Sequence, residues 1–388
     1  MKKTGRVIVV GGGIGGLSAA LALRSRGVAV TLLERADEFG EVGAGLQLAP
    51  NATRILDDWG LLGETMRQGF EPRSLVLKDA VSGDELTRQD LGTDFRNRYG
   101  APYVVIHRSD LHAIVLEAAR AAGVELVTGA DVVAVADLEP GVSVSVAGEP
   151  AGLTADACVA ADGLTSRIRD TIVGDEPVAS GYVAYRGTLP GSASGLDDVV
   201  AWLGPGCHFV RYPLRQGELL NQVAVFRSAR YAAGDDEWGT VDELDAAFAD
   251  CCDEIRAGTP HLWRDRRWPM FDRVPTTRWR HGSTLLVGDA AHPMLQYLAQ
   301  GACQAIEDAA ALGRAVDAVG PGSAADWPAV FDAVAAEREP RTSRVQLTAH
   351  LWGDIWHTDG LGRTLRNELL RRRDTKDFRY FDWLYGAA

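Results

Sequence analysis

Three short stretches carry residue types that could hold a large anionic cofactor. In the first, Gly11, Gly13 and Gly16 stand in G-x-G-x-x-G spacing, and Glu34 with its neighbour Arg35 follows about twenty positions on. In that pattern the first glycine turns the chain and the second lets a pyrophosphate approach. The third lets helix and strand touch, and the carboxylate accepts from a ribose hydroxyl. The second stretch, ADGLTSRIR, sets Asp162 and Gly163 in a turn before Ser166, Arg167 and Arg169. The third, GDAAHPMLQYLAQGACQAIEDA from Gly288 to Ala309, places Asp289 where ligand hydroxyls could reach it. Pro293 and Gln296 follow in a loop, and a helix opens near Gly301. Unpaired N–H groups and the positive dipole end of such a helix favour an anion. Arg108, just ahead of a helix with Ser109 as its expected N-cap, could meet a phosphate or sugar oxygen.

The surrounding elements decide whether these residues can meet. Arg6–Val10 reads as an apolar strand, Leu17 to Leu23 as a helix closing at Gly27, and Val28–Leu33 as a strand ending on Glu34. Ala157–Ala161 and Thr284–Val287 read as buried strands ending at Asp162 and Asp289, and in α/β sheets ligands bind at the carboxyl ends of strands. Glu41–Leu62 reads as a Gly-rich loop and an amphipathic helix capped near Pro50-Asn51. Residues 74–81 and 84–90 form a hairpin about Ser82-Gly83, and Tyr103–Arg108 leads into a helix over 109–122. Short strands at 125–127, 132–135 and 142–146 read as a meander. Runs at Gly181–Thr188, Val199–Leu203, His208–Leu214 and Leu219–Phe226 predict a second, mostly antiparallel sheet. Val241–Ile255 is an expected acidic helix, Trp263–Arg273 a basic solvated face, and Ala315–Ala325 a loop. The chain beyond Gly320-Pro321 is helical and aromatic. His350, Asp354 and His357 share a helical face, but no further ligand accompanies them and no metal site is expected.

A chain of 388 residues, 46% hydrophobic, can bury a core for two domains or one composite. Its net charge of -13 argues against a nucleic-acid partner, whose affinity rests on clustered Lys and Arg. Five cysteines without C-x-x-C or metal-ligand spacing fit a reducing, cytoplasmic setting. Lys2 and Lys3 before the uncharged run Val7–Leu23 imitate a leader or a transmembrane segment, yet glycines at 11, 12, 13, 15 and 16 suit a phosphate loop and make a poor membrane helix.

The order of the three motifs, G-x-G-x-x-G, DGxxSxxR and GDAAHP, resembles the single-component flavoprotein aromatic hydroxylases over nearly the whole chain. The resemblance implies an α/β fold: a Rossmann-like FAD-binding domain (1–75, 100–177 and 270–320) interrupted by a mostly antiparallel β-sheet substrate domain (76–99 and 178–269). A helical C-terminal region, 321–388, completes it. It implies non-covalent FAD, NADH or NADPH as co-substrate, dioxygen, and a phenolic aromatic acid hydroxylated through a flavin C4a-hydroperoxide. It assigns Gly11, Gly13 and Gly16 to the pyrophosphate, Glu34 to the adenosine ribose, Arg108 to the ribityl or phosphate region and Asp289 to the ribityl chain. Asp162 and Gly163 would serve both FAD and the nicotinamide, and Pro293 would stand beside the reactive face of the flavin.

A finer resemblance, to hydroxybenzoate 6-hydroxylases that turn 3-hydroxybenzoate into gentisate, rests on HPMLQYLAQGACQAIEDA, HFVRYPLRQGELLN and DWLYG. It adds His208, Tyr212 and Gln296 as substrate-lining residues. Four residues apart on a strand, His208 and Tyr212 face one side of the sheet and are joint candidates for the phenolic proton, with Gln296 orienting the ring. The helix at Gly301 would stabilise charge on reduced flavin. No arginine stands out as the carboxylate's partner, and His292 reads as structural. Salicylate- or hydroxynicotinate-type hydroxylases, a flavin-dependent dehydrogenase or reductase, and a non-catalytic FAD redox sensor are the alternatives. A homodimer is a further expectation.

Overall fold

The computed structural model describes residues 5–40, 43–191, 195–320 and 322–386. Lys2, Lys3, Glu41, Val42 and Pro321, which figure in the readings above, lie outside them. Two large sheets carry the architecture. The first is six-stranded, in the order Arg280–His281, Thr284–Leu286, Ala157–Ala160, Arg6–Val10, Ala29–Leu33, Glu125–Val127. All its pairings are parallel except the short edge hairpin 280–286. Its strands are near-continuous apolar runs because helices cover it, as a buried parallel sheet requires. Ile14–Arg24 packs on Gly301–Val319 and Arg108–Ala122.

The second sheet is seven-stranded: Trp268–Asp272, Val178–Pro190, Leu219–Arg227, Cys207–Leu214, Val199–Gly204, Ser74–Asp79, Glu85–Asp90. Only the pairing of Val199–Gly204 with Ser74–Asp79 is parallel. Side chains alternate across it. Phe209, Phe226, Trp202 and Tyr185 face a small core under Leu244, Phe248 and Ile255, whereas Val210, Tyr212, Val223, Val225 and Ala184 face the main core. The long helix Trp327–His357, then Gly360–Arg371 and Arg379–Tyr385, complete a helical C-terminal region.

Several local expectations are corrected. The Glu125–Val127 strand joins the parallel sheet beside Ala29–Leu33, so the antiparallel three-stranded unit is Val132–Leu138, Gly141–Val146 and Leu153–Ala155. Part of the predicted Gly-rich loop is a strand, Gly45–Leu48, paired with Val104–His107. Pro50 does open the next helix, but Asn51 does not cap it: its amide donates to Gln300 and Glu307. The helix after Arg108 begins at Arg108 itself and is capped by the His107 ring, which accepts from the Ser109 amide, so Ser109 is inside it. Val241–Ile255 breaks into Val241–Phe248 and Asp253–Gly258, and the Ala-rich loop expected from Ala315 is helical to Val319. No described helix is long and apolar enough to cross a membrane.

Candidate active site

Four strand ends meet along one edge. Thr284–Leu286, Ala157–Ala160, Arg6–Val10 and Ala29–Leu33 lie side by side and parallel, so Asp289, Asp162, the Gly11–Gly16 loop and Glu34 succeed one another at the carboxyl edge of the sheet. The backbone here is too close for side chains. A Cβ on Gly16 would fall 1.9 Å from the Gly11 carbonyl oxygen, and one on Gly11, which sits at φ +105°, would fall 2.3 Å from that of Ala161. The helices Ile14–Arg24, with Gly13 at its N-cap, and Gly301–Val319 open without a side-chain cap. Their first N–H groups and positive dipole ends are thereby available to an anion. A Cβ on Gly163 or Gly301 would meet nothing within 4 Å, so the space above both is open.

The polar groups on this edge differ in how they are held. Glu34 accepts from the amides of Gly12 at 2.6 Å and Ala36 at 2.9 Å, with Arg35 exposed beside it. Asp289 is exposed between buried Gly288 and Ala290. Asp162 keeps one carboxylate oxygen buried without a hydrogen-bond partner, and burial pushes its carboxyl up. Such an orphan acceptor wants a donor. The Arg108 side chain lies against Gly43, where a Cβ would come within 3.0 Å of it. A cradle that a Cβ would fill, an unpartnered acceptor and two uncapped helix ends fit FAD.

The motifs are also tied to one another by long-range contacts that the sequence did not announce. Arg169, fully buried, donates to the Ala290 and Ala291 carbonyls at 3.1 and 2.5 Å while pairing with Asp175, which links the DGxxSxxR segment to the GDAAHP loop. Asp308 accepts from the Gly288 amide at 2.9 Å, sits 2.5 Å from His292 and pairs with Arg338, whose other partner is Glu307. His292 is thus part of the loop's scaffold. His112 reaches the Gly12 carbonyl at 2.7 Å. The ED of IEDA, two carboxylates in an apolar helix, was the one available signal, because buried charges demand partners.

The seven-stranded sheet supplies a different surface. His208 and Tyr212, both buried, do face one side of the Cys207–Leu214 strand, with Val210 between them. Tyr212 abuts Gly45, where a Cβ would lie 2.4 Å from its ring, and Asn221 beside it accepts from the Gly45 amide at 3.0 Å. Burial pushes the Tyr212 phenol well up, so it stays protonated. His208 is held well below its ordinary range by burial, with His357 adding to the effect. Its Nδ1 lies 2.8 Å from His357 Nε2, and that second ring stacks on Tyr182 at 4.6 Å. His357 is pushed down to about 3 by burial and by Arg366. Of the three residues on that helical face, His350 pairs instead with Asp272, so the face serves two separate strands.

Gln296 is half-buried and opens a 3-10 turn, Gln296–Leu298, whose Tyr297 packs on His208 at 5.5 Å. Pro293 is buried, and its carbonyl accepts from Gln346 at 2.8 Å. The turn of the third motif thereby reaches the His208 side of the sheet.

Comparison with known proteins agrees with this geometry. Residues 4–348 match the FAD binding domain family. The chain is 40% identical to the 3-hydroxybenzoate 6-hydroxylase of Klebsiella oxytoca, covering 100% of this chain and 98% of that one. It is 36% identical to the 3-amino-4-hydroxybenzoate 2-monooxygenase of Streptomyces cremeus, covering 99% and 95%. Klebsiella pneumoniae HpxO complexed with FAD and uric acid shares the fold, with a TM-score of 0.84 at 24% identity over 98% of this chain and 97% of that one. The glycine-lined sheet edge and the full-length likeness together place this chain in the FAD binding domain family, as an FAD-dependent aromatic hydroxylase.

Proposed function

We propose that this enzyme hydroxylates 3-hydroxybenzoate para to its phenol, giving gentisate, with NADH or NADPH and dioxygen. The observation that carries the reading is the inward face of the seven-stranded sheet, where a neutral His208 and a protonated Tyr212 flank Val210. The 40% identity to a 3-hydroxybenzoate 6-hydroxylase supports it.

Bound FAD, reduced by the nicotinamide, supplies an electrophilic oxygen from dioxygen, and that hard chemistry belongs to the cofactor. Gly11, Gly13 and Gly16 would hold its pyrophosphate, and Glu34 its adenosine ribose with Arg35 alongside. Arg108 and Asp289 would hold its ribityl region, and Asp162 and Gly163 would add the orphan acceptor and open backbone. Gly301 would present helix N–H groups to the ring. Pro293 would close the ring's reactive side.

The chain's other task is to make the substrate ring nucleophilic. His208 Nε2 accepts a hydrogen bond from the phenol and shares its proton, which requires Nδ1 to carry hydrogen, and His357 Nε2 at 2.8 Å is placed to accept from that Nδ1–H. Tyr212 donates, and Gln296 orients the ring. A sheet that buries both groups also excludes water, limiting wasteful peroxide release. Residues 76–99 and 178–269 form the substrate-covering part in this reading, with the FAD part at 1–75, 100–177 and 270–320.

Exposed leucines at 347 and 351, and at 361, 365 and 369, lie at helical spacing on the two last long helices and support a homodimer. Buried, unpaired cysteines support a cytoplasmic setting. The test is oxygen uptake by the flavin-loaded protein against a panel holding 3-hydroxybenzoate, salicylate, a hydroxynicotinate and 3-amino-4-hydroxybenzoate, with products separated by chromatography. Coupled gentisate formation from 3-hydroxybenzoate alone supports the reading; preference for another acid refutes it. Turnover without oxygen would instead indicate a dehydrogenase.

A further inference from the structure

Buried arginines in this molecule are consistently paired with acids. Arg169 pairs with Asp175, Arg273 with Asp170 and Asp175, Arg338 with Glu307 and Asp308, and Arg366 with Asp79. Arg186 is half-buried and has no such pair; Arg54 and Arg211, half-buried as well, also lack one but are held by backbone carbonyls and by Gln222. It lies on the Val178–Pro190 strand with its Nε buried and unbonded, and no carboxylate is paired with it among the described residues. Its guanidinium rests over the Trp268 ring at 5.6 Å. Its electrostatic neighbours are the Tyr212 phenol and a second cation, Arg108.

Register places it with the substrate-facing groups. Arg186 pairs with Val223, and Val223 pairs with Val210, the residue between His208 and Tyr212. Alternation then puts Arg186, Val223, Val210, His208 and Tyr212 on one face. Val210 and Val223, each 8% exposed, form an apolar floor with a polar group on three sides. A desolvated cation facing such a floor, without an acid of its own, suits a ligand that brings the anion with it. The planar guanidinium can offer two parallel N–H bonds to a carboxylate, and the Trp268 ring would hold its plane.

We propose that Arg186 is the anchor for the substrate's carboxylate, so that an aromatic acid lies over Val210 and Val223 with its carboxylate on Arg186 and its phenol at His208. Arg186 thereby selects acids over neutral phenols. The inference rests on the aromatic-acid reading above.

The test uses flavin-loaded parent, Arg186→Met and Arg186→Lys proteins, titrated with 3-hydroxybenzoate and with neutral 3-hydroxybenzamide while the flavin absorbance is followed. Arg186→Met should weaken the acid about 10- to 100-fold, the usual loss for one charged hydrogen-bonding partner, and change the amide by less than about threefold. Arg186→Lys, which keeps charge but loses the fork, should fall between. Thermal unfolding without ligand separates anchoring from scaffolding. Losing a cation whose Nε is enclosed and unbonded should leave the Arg186→Met melting temperature equal or higher, whereas a structural arginine would lower it. Equal weakening of acid and amide, or a lowered melting temperature with flavin loss, overturns the inference alone. A parent protein that binds no hydroxybenzoate overturns the functional reading and the inference with it.

Discussion

Along the edge of the parallel sheet the backbone shapes the surface that fits FAD, and on the inward face of the seven-stranded sheet side chains shape the proposed substrate surface. At the edge, Gly11 and Gly16 matter because a Cβ would fall within 2.3 Å of a carbonyl oxygen. On the sheet, the roles proposed for His208, Tyr212 and Arg186 rest on what their polar ends offer between valines that any sheet would carry. A backbone site excludes most residue types and so marks the sequence. A side-chain site on a strand obeys only the period of two, which every half-buried strand also obeys. The two regions should therefore fail differently: edge variants lose the cofactor, and sheet variants keep it and lose the chemistry.

The largest expected effect is at the edge. Gly16→Val drives a branched side chain into the Gly11 carbonyl, 1.9 Å from the new Cβ, and should give colourless protein by visible absorbance after purification. A yellow, reducible Gly16→Val protein would erase the contrast. On the sheet, His208→Ala should stay yellow and reducible while hydroxylation drops about 10²- to 10⁴-fold, the usual worth of a positioned acid or base, with peroxide rising in its place. Full coupled turnover in that variant would remove His208 from the chemistry. Between the regions lies Arg338, whose replacement by Met removes the only arginine that pairs with Asp308 among the described residues and leaves Glu307 with Arg341 alone. Denaturant unfolding should show a loss of about 3–5 kcal/mol, and flavin should leak as the Gly288 loop loosens.

The smallest effect is a pH slope. His357 is held down to about 3 and His208 well below its ordinary value, and unfolding restores both toward about 6.5. The unfolded chain then binds more protons, so stability rises with pH in that window. The contribution of the pair is complete above about pH 6.5 and is lost as pH falls toward 3. His350, raised by Asp272, runs the other way, losing its contribution as pH rises. A His208→Gln, His357→Gln double variant should flatten the slope below about pH 6 by up to about 1 kcal/mol per pH unit for each ring removed. An unchanged slope would show that the rings are not held neutral.

How much of this could be read from the sequence follows the same division. The βαβ opening, the second and third strand ends and the four strands of the β-rich middle were all legible, because apolar runs and glycine spacing reflect local backbone demands. The joining of Glu125–Val127 to the parallel sheet was not, since a three-residue strand carries no partner information. Neither were the contacts of Arg169 with the Ala290 and Ala291 carbonyls, 121 and 122 residues away, or of Asp308 with the Gly288 amide and Arg338, 20 and 30 residues away. His208 and Tyr212 came only through likeness to relatives. His357, 149 residues from His208, and Arg186 came only once strand register had set faces together. What long-range pairing decides, local pattern cannot announce.

The most direct test of the account is the stoichiometry of one reaction: oxygen consumed, nicotinamide oxidised and product formed by the flavin-loaded enzyme with 3-hydroxybenzoate. One gentisate is expected per nicotinamide and per oxygen, with little peroxide. Nicotinamide oxidation that yields peroxide without hydroxylated product, or no stimulation by any hydroxybenzoate, would contradict it.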